Sequence, residues 1–261
     1  MTPGISLRAT AAALVCMLAF ACAPASAGPP YQTDDPEPTA YRHYEIYVFT
    51  TYDNGASHAV NTTLPSLEVN YGLMPNVQFS VTAPFVAFRA PGTPASAGYG
   101  DTEVALKMRF VQEAPGRPQA SFYPAVVLPT GDAKLGLGGG LPKIFLPVWA
   151  QKTNGAWTYF GGGGVWRNPG PGNRDYTFTG FAATRQVRDG LSIGGEVYHQ
   201  SPDTIGGIDS TGVGVGVIAE RGEHHALLAS FGRGVHGPNT FSGYAAYELY
   251  LGPRAAGAKE P

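Results

Sequence analysis

The sequence predicts an all-β protein: a transmembrane antiparallel up-and-down β-barrel of about twelve strands. Three observations carry that expectation. Apolar residues recur at every second position in short runs, the signature of strands with one apolar and one polar face. The connections between runs alternate, short then long. The composition is rich in Gly and aromatic residues and poor in charge, behind a leader of the export type.

The leader comes first. Residues 1–27 hold one charge, Arg8, then an apolar stretch from Ala9 to Cys22 that is too short to span a bilayer as a helix. Ala25-Ser26-Ala27 reads as a small-x-small cleavage site, so cleavage is expected after Ala27. Cys16 and Cys22 are the two cysteines of the chain and both lie in the leader, which excludes a disulfide framework or a thiolate metal site from the remainder. Residues 28–42 read as a periplasmic N-terminal segment, 43–251 as the barrel and 252–261 as a polar C-terminal tail.

Within the barrel segment, Tyr44, Ile46 and Val48 alternate with Glu45, Tyr47 and Phe49. Leu67, Val69 and Tyr71 alternate with Ser66, Glu68 and Asn70. Val77, Phe79, Val81, Ala83 and Phe85 form one face of the next run, and Val104, Leu106, Met108 and Phe110 one face of the fourth. Eight further runs fall at 120–128, 144–150, 157–166, 176–185, 191–200, 212–220, 225–232 and 243–251. Short turns are expected at 72–76, 113–118, 153–155, 188–190 and 221–223, where Asn-Gly and Asp-Gly supply the positive φ of tight hairpins. Longer loops are expected near 53–63, 89–100, 129–141, 167–175, 201–210 and 234–240. Short turns on one side, longer loops on the other and an even strand count are the layout of an outer-membrane barrel. Such a barrel satisfies its backbone inside lipid and leaves no sheet edge. Tyr44, Tyr52, Tyr71, Phe85, Phe110 and Trp157 lie near strand ends, where interfacial girdles form. The competing reading is a secreted soluble β-sandwich, which fits a regular loop asymmetry less well.

Composition bounds the function. Charged residues are 14% against 43% hydrophobic and 11% aromatic, with a formal net charge of −2. No basic stripe suggests nucleic-acid binding. The mean hydropathy of −0.08 argues against a helical membrane bundle.

A resemblance adds to this. The stretch Pro29-Pro30-Tyr31-Gln32-Thr33-Asp34-Asp35-Pro36-Glu37-Pro38, followed by His43-Tyr44-Glu45, is similar to a family of outer-membrane transporters labelled the MetA-pathway of phenol degradation family. Further matches follow in order: Gly100-Asp101-Thr102-Glu103, Leu128-Pro129-Thr130-Gly131-Asp132, Gln151-Lys152, Gly161 to Gly164, Asn168-Pro169-Gly170 and Gly194-Gly195-Glu196. The resemblance implies an outer-membrane barrel with a transport role and does not establish phenol as the substrate. The chain departs from many outer-membrane barrels at its end, where the last run closes at Tyr250-Leu251 and a polar tail follows. A terminal aromatic insertion signal is absent or displaced inward.

The expected function is a channel for passive passage of small solutes, small aromatic or hydrophobic compounds among them. The expected pathway residues are Glu45, Tyr47, Glu68, Asp101, Glu103, Lys107, Arg109, Tyr123, Trp149, Glu196 and Tyr198. Opposed acids and bases in a narrow lumen set ion selectivity or hold polar groups; the alternative is a salt-bridge network that fills a small barrel. The aromatics either stack a substrate or pack against neighbours. Asp34, Asp35 and Glu37 are expected as a solvated periplasmic arm, with a folded-back partial plug or a cation site as alternatives. A closed structural or adhesive barrel is the second functional reading. A lipid hydrolase using His199 and Ser201 is the third, weakened by the lack of an orienting acid nearby. No enzyme activity, cofactor or metal is expected. Gly136 to Lys143 lacks the Gly-Lys-Ser/Thr of a phosphate loop, and adjacent His224 and His225 point to opposite strand faces. The expected partners are outer-membrane lipid, small-molecule solutes and the barrel-assembly machinery. The expected state is a monomer in the bacterial outer membrane.

Overall fold

The computed structural model describes residues 30–55, 59–237 and 239–253. The leader with its cleavage site and the tail beyond residue 253 lie outside the described residues. The strands are β1 (Tyr44–Gly55), β2 (Val60–Met74), β3 (Val77–Arg89), β4 (Ser96–Tyr99), β5 (Thr102–Val111), β6 (Gln119–Phe122) and β7 (Ala125–Leu128). They continue as β8 (Lys143–Asn154), β9 (Trp157–Arg167), β10 (Tyr176–Arg188), β11 (Leu191–Gln200), β12 (Ser210–Arg221), β13 (His225–His236) and β14 (Asn239–Leu251).

These segments make twelve staves. β4 and β5 pair along the same neighbour, β3, and are one stave broken at Gly100-Asp101. β6 and β7 both lie between β5 and β8 and are one stave broken at Tyr123-Pro124. Every neighbour is antiparallel, and β1 pairs with β14 from Tyr44↔Leu251 to Gly55↔Asn239, which closes the barrel. The breaks do not orphan the backbone. Gly100 N–H donates to Pro84 O at 2.9 Å, and Tyr123 N–H donates to Pro147 O at 3.1 Å. The uninterrupted strands run from 10 to 15 residues, long enough for a tilted strand to cross a hydrocarbon core.

All twelve expected runs are strands, but two expected loops are not loops. At 53–63 the ladder continues through Tyr52↔Thr62, Asp53↔Asn61 and Asn54↔Val60. At 234–240 the strands reach His236 and resume at Asn239. The described residues of these two stretches resemble loop sequence, yet their backbones are paired into the ladder. The phase of β2 also changes: Thr63 and then Ser66 face inward, because the ladder is irregular between them at Leu64-Pro65. A one-residue insertion of this kind resets a period-two pattern, which hides the strand's first half from a fixed alternation.

The two faces differ as the alternation requires. Val48, Leu67, Phe85, Phe110, Val215 and Leu227 are exposed on the outside. The buried groups lie inside: one cluster holds Phe145, Trp149, Trp166, Tyr176, Phe178 and Tyr198 on β8–β11, and another holds Tyr47, Phe49, Ala226, Leu228 and Ala246 on β1, β13 and β14.

Candidate functional site

The barrel interior is crossed by residues 30–40, here termed the strap. The solvated arm expected from the sequence is not what forms; the folded-back alternative is. Asp34 is 0% exposed. The Nζ of Lys107, from β5, lies 3.1 Å from Asp34 Oδ1 and 3.7 Å from Asp35 Oδ1. Farther round the wall, on β11, Glu196 accepts the Gln32 N–H at 3.1 Å and both the N–H and hydroxyl of Thr33 at 3.0 Å. The Thr39 N–H and hydroxyl donate to Gln78 Oε1 from β3. Ser121 on β6 donates its hydroxyl to Pro36 O, and Arg109 Nη1 lies 3.8 Å from Glu37 Oε1. The strap thus ties together walls that share no ladder.

Glycines make room for it. A Cβ on Gly180 would sit 2.2 Å from Thr33 Oγ1, and one on Gly194 would sit 2.6 Å from the Tyr31 hydroxyl. Any larger inward residue there would push the strap off its wall. Tyr31 meets Phe160 with ring centroids 5.9 Å apart.

The expected pathway residues fall as follows. Glu45 and Tyr47 share the inward face of β1, and the Tyr47 hydroxyl donates to Glu248 Oε1 at 2.9 Å. Glu68 on β2 accepts from Asn70 at 2.9 Å. Glu103, Lys107 and Arg109 share the inward face of β5, and one Glu103 oxygen, Oε2, is buried without a hydrogen-bond partner. Arg109 donates to Gln119 Oε1 at 2.9 Å and to Asn76. The Lys107 ammonium lies 4.7 Å from the centre of the Tyr123 ring, whose hydroxyl donates to Ser80. Trp149 is 0% exposed and meets Phe178 edge-on at 6.3 Å; Tyr198 stacks on Phe178 at 6.1 Å. Asp101 stands in the break between β4 and β5, where its two oxygens accept the Gly131 and Gly139 amides at 3.0 and 2.7 Å. That carboxylate holds down the 131–141 loop.

Several inward groups escaped the sequence reading. Asp53 and Glu248 add carboxylates, Lys143 a buried ammonium, and Phe145, Trp166 and Tyr176 a run of stacked rings with centroid spacings of 4.6 and 5.8 Å. The signal was available for Asp53, Lys143 and Phe145, which share the parity of Tyr47 or Trp149 on their strands; the strands of Glu248, Trp166 and Tyr176 had no inward residue assigned.

Charge follows burial. Burial pushes the Asp34 carboxyl up, to about 6, while the Lys107 ammonium pulls the other way. Burial and the nearby Glu196 charge raise the Tyr31 phenol. On the turn side, hydrogen bonding to Lys152 holds Glu113 below the ordinary carboxylate range.

The hydrolase pair is engaged elsewhere. The His199 ring nitrogen shares a hydrogen bond with the Thr211 hydroxyl at 3.0 Å, and Ser201 Oγ accepts the Thr177 N–H at 2.8 Å. His224 and His225 likewise bond to different partners, Tyr250 O and the Tyr247 hydroxyl. Among the described residues no group of three or more His, Cys, Asp or Glu side chains is placed to hold a metal ion.

With this geometry in hand, comparison with known proteins decides the family. The family profile described as "Putative MetA-pathway of phenol degradation" matches residues 44–248. The chain belongs to that family. Among solved structures, this phenol-degradation family member is similar to the COG4313 outer membrane channel from Pseudomonas putida F1. The TM-score is 0.67 at 15% identity, covering 86% of this chain and 99% of that one. It is also similar to the translocator domain of the autotransporter NalP from Neisseria meningitidis, with TM-score 0.53, 10% identity, and 79% and 88% coverage. The KdgM porin gives TM-score 0.51, 7% identity, and 78% and 98% coverage. At these identities the likeness is one of fold, that of outer-membrane barrels. Among curated proteins no significant match was found.

Proposed function

We propose that this family member is a monomeric outer-membrane channel that passes small solutes without energy input, exported by a leader cleaved after Ala27 and inserted by the barrel-assembly machinery. One observation carries the reading. The wall is apolar outside and presents buried polar and charged groups inside, among them Gln78, Ser80, Lys107 and Ser121. A soluble sandwich has no reason to turn its polar residues inward, whereas a barrel in lipid does. On β8–β11 the stacked rings Phe145, Trp166, Tyr176, Phe178 and Tyr198 offer flat faces to small aromatic solutes.

The strap favours a second reading, a closed structural barrel, because it fills space that a solute needs. Flux through liposomes holding the refolded chain separates the two. Sugars, nucleosides and small aromatic acids of matched size are compared. Size-limited entry or preference for one class supports the channel; no entry of any solute, from a chain with the heat-modifiable migration of a folded barrel, leaves the closed barrel.

A further inference from the structure

The strap does more than narrow the interior; it changes its charge. We propose, resting on the channel reading above, that the strap neutralises the two bases of β5 and so makes the interior select for cations, including small solutes that carry an ammonium group.

The inventory of inward charge supports this. Six carboxylates face the interior without an ion pair among the described residues: Glu45, Asp53, Glu68, Glu103, Glu196 and Glu248. The inward bases are Lys107, Arg109 and Lys143; the strap's acids meet the first two, and Lys143 makes no ion pair among the described residues. Lys107 lies 3.1 Å from Asp34 and 3.7 Å from Asp35, and Arg109 lies 3.8 Å from Glu37. The strap therefore sets three acids on two bases and leaves a surplus negative charge at the middle of the pathway.

A second observation points to a cation. Asp34 Oδ2 is buried and has no hydrogen-bond partner, although Oδ1 of the same carboxyl meets Lys107. Glu103 Oε2, on the inward face of Lys107's own strand, is likewise buried and unpartnered. Acceptors left open on carboxylates in a confined, low-dielectric space attract cations strongly. The protein already contains an example of what they hold: the Lys107 ammonium rests between two carboxylates and the Tyr123 ring, the chemistry that recognises organic ammonium groups. Rings of acidic side chains are the device by which pores favour cations.

The test is the reversal potential of the refolded full chain in planar bilayers under a potassium chloride gradient, repeated with tetramethylammonium chloride. The expected result is a potential of the sign set by the cation, with cations severalfold more permeant than chloride. The triple variant Asp34→Asn, Asp35→Asn, Glu37→Gln uncovers Lys107 and Arg109 and is expected to move the potential towards chloride. Glu68→Gln with Glu103→Gln, which leaves the strap's ion pairs in place, is expected to weaken cation preference without inverting it. Current carried by chloride, or equally by both ions, in the unsubstituted chain overturns the selectivity and leaves the channel standing. A potential unmoved by the triple variant, in a chain that conducts, overturns the strap's part. No current from a folded, inserted chain overturns the channel reading and this inference with it.

Discussion

The two walls of the barrel solve the same packing problem with different chemistry. On β1–β5 most inward side chains near the strap are polar or charged, Glu45, Glu68, Gln78, Glu103 and Lys107 among them, with Tyr47 and Phe49 packed toward β13 and β14. On β8–β12 most are rings, alanine and glycine, among them Phe145, Trp149, Trp166, Phe178, Ala182, Gly194 and Gly216. The strap meets the first wall through ion pairs and the second mainly by close approach, with Glu196 as the polar anchor there. The difference teaches that one side fixes the strap's charge environment and the other its position. Substitutions on the second wall should therefore act through shape, and those on the first through charge.

The largest effect is expected from Trp149→Ala. Its wholly buried indole is the centre of the ring cluster, and aromatic truncations in packed cores cost about 3–5 kcal/mol. Urea unfolding in lipid vesicles measures it; a loss under about 1 kcal/mol would mean that the second wall is loosely filled rather than packed. Gly180→Val comes next. The added carbons enter the space of Thr33, and overpacking of this kind costs about 1–3 kcal/mol. Here the strap should leave its seat while the barrel persists, which proteolysis near residues 30–40 reads against unchanged heat-modifiable migration. Glu196→Gln keeps the shape and removes the charge from three hydrogen bonds. Because charged acceptors exceed neutral ones by about 1 kcal/mol, strap release should occur in the same assay but more weakly than for Gly180→Val. An equal or stronger effect would show that charge, not position, dominates on that wall too.

The smallest effect belongs to neither wall. Glu113→Gln removes the partner of Lys152 at a half-solvated turn, and such pairs contribute no more than about 1 kcal/mol. Its sign with pH is fixed. Glu113 is held below its ordinary range, so its contribution is present above the unfolded-state value, about 4.3, and is lost as the pH falls through the lower folded value. Urea midpoints of the wild-type chain and the variant should therefore converge in acid; a gap that widens in acid contradicts the pairing.

The contrast between the walls also marks how far the sequence could be read. Strand existence was legible throughout, because each stave shows its outer apolar face to lipid whatever its inner face carries. The inward parity of Glu68, Lys107 and Trp149 followed from the same pattern. What the pattern could not show was the distribution of lumen chemistry. On β8 the inward Phe145 and Trp149 are flanked by outward Ile144, Leu146 and Val148, so hydrophobicity hardly alternates and the faces cannot be told apart by polarity. The strap stood only as the alternative to a solvated arm, for a different reason. Its acids and prolines look solvated in isolation, and their partners Lys107, Gln78 and Glu196 lie far along the chain. The irregular Leu64-Pro65 step shifted the phase of β2 and made its paired first half look like a loop.

Those long separations carry a consequence for how the molecule is made. Gln32 finds Glu196 across 164 positions and Asp34 finds Lys107 across 73. Contacts this distant along a chain form only after much entropy has been surrendered by everything between them. The Glu196 anchor does not exist until β11 stands in its ladder, so a nascent wall must assemble around an interior still full of water. The strap, though it precedes every strand in the sequence, is then expected to settle only after the wall that holds it has formed.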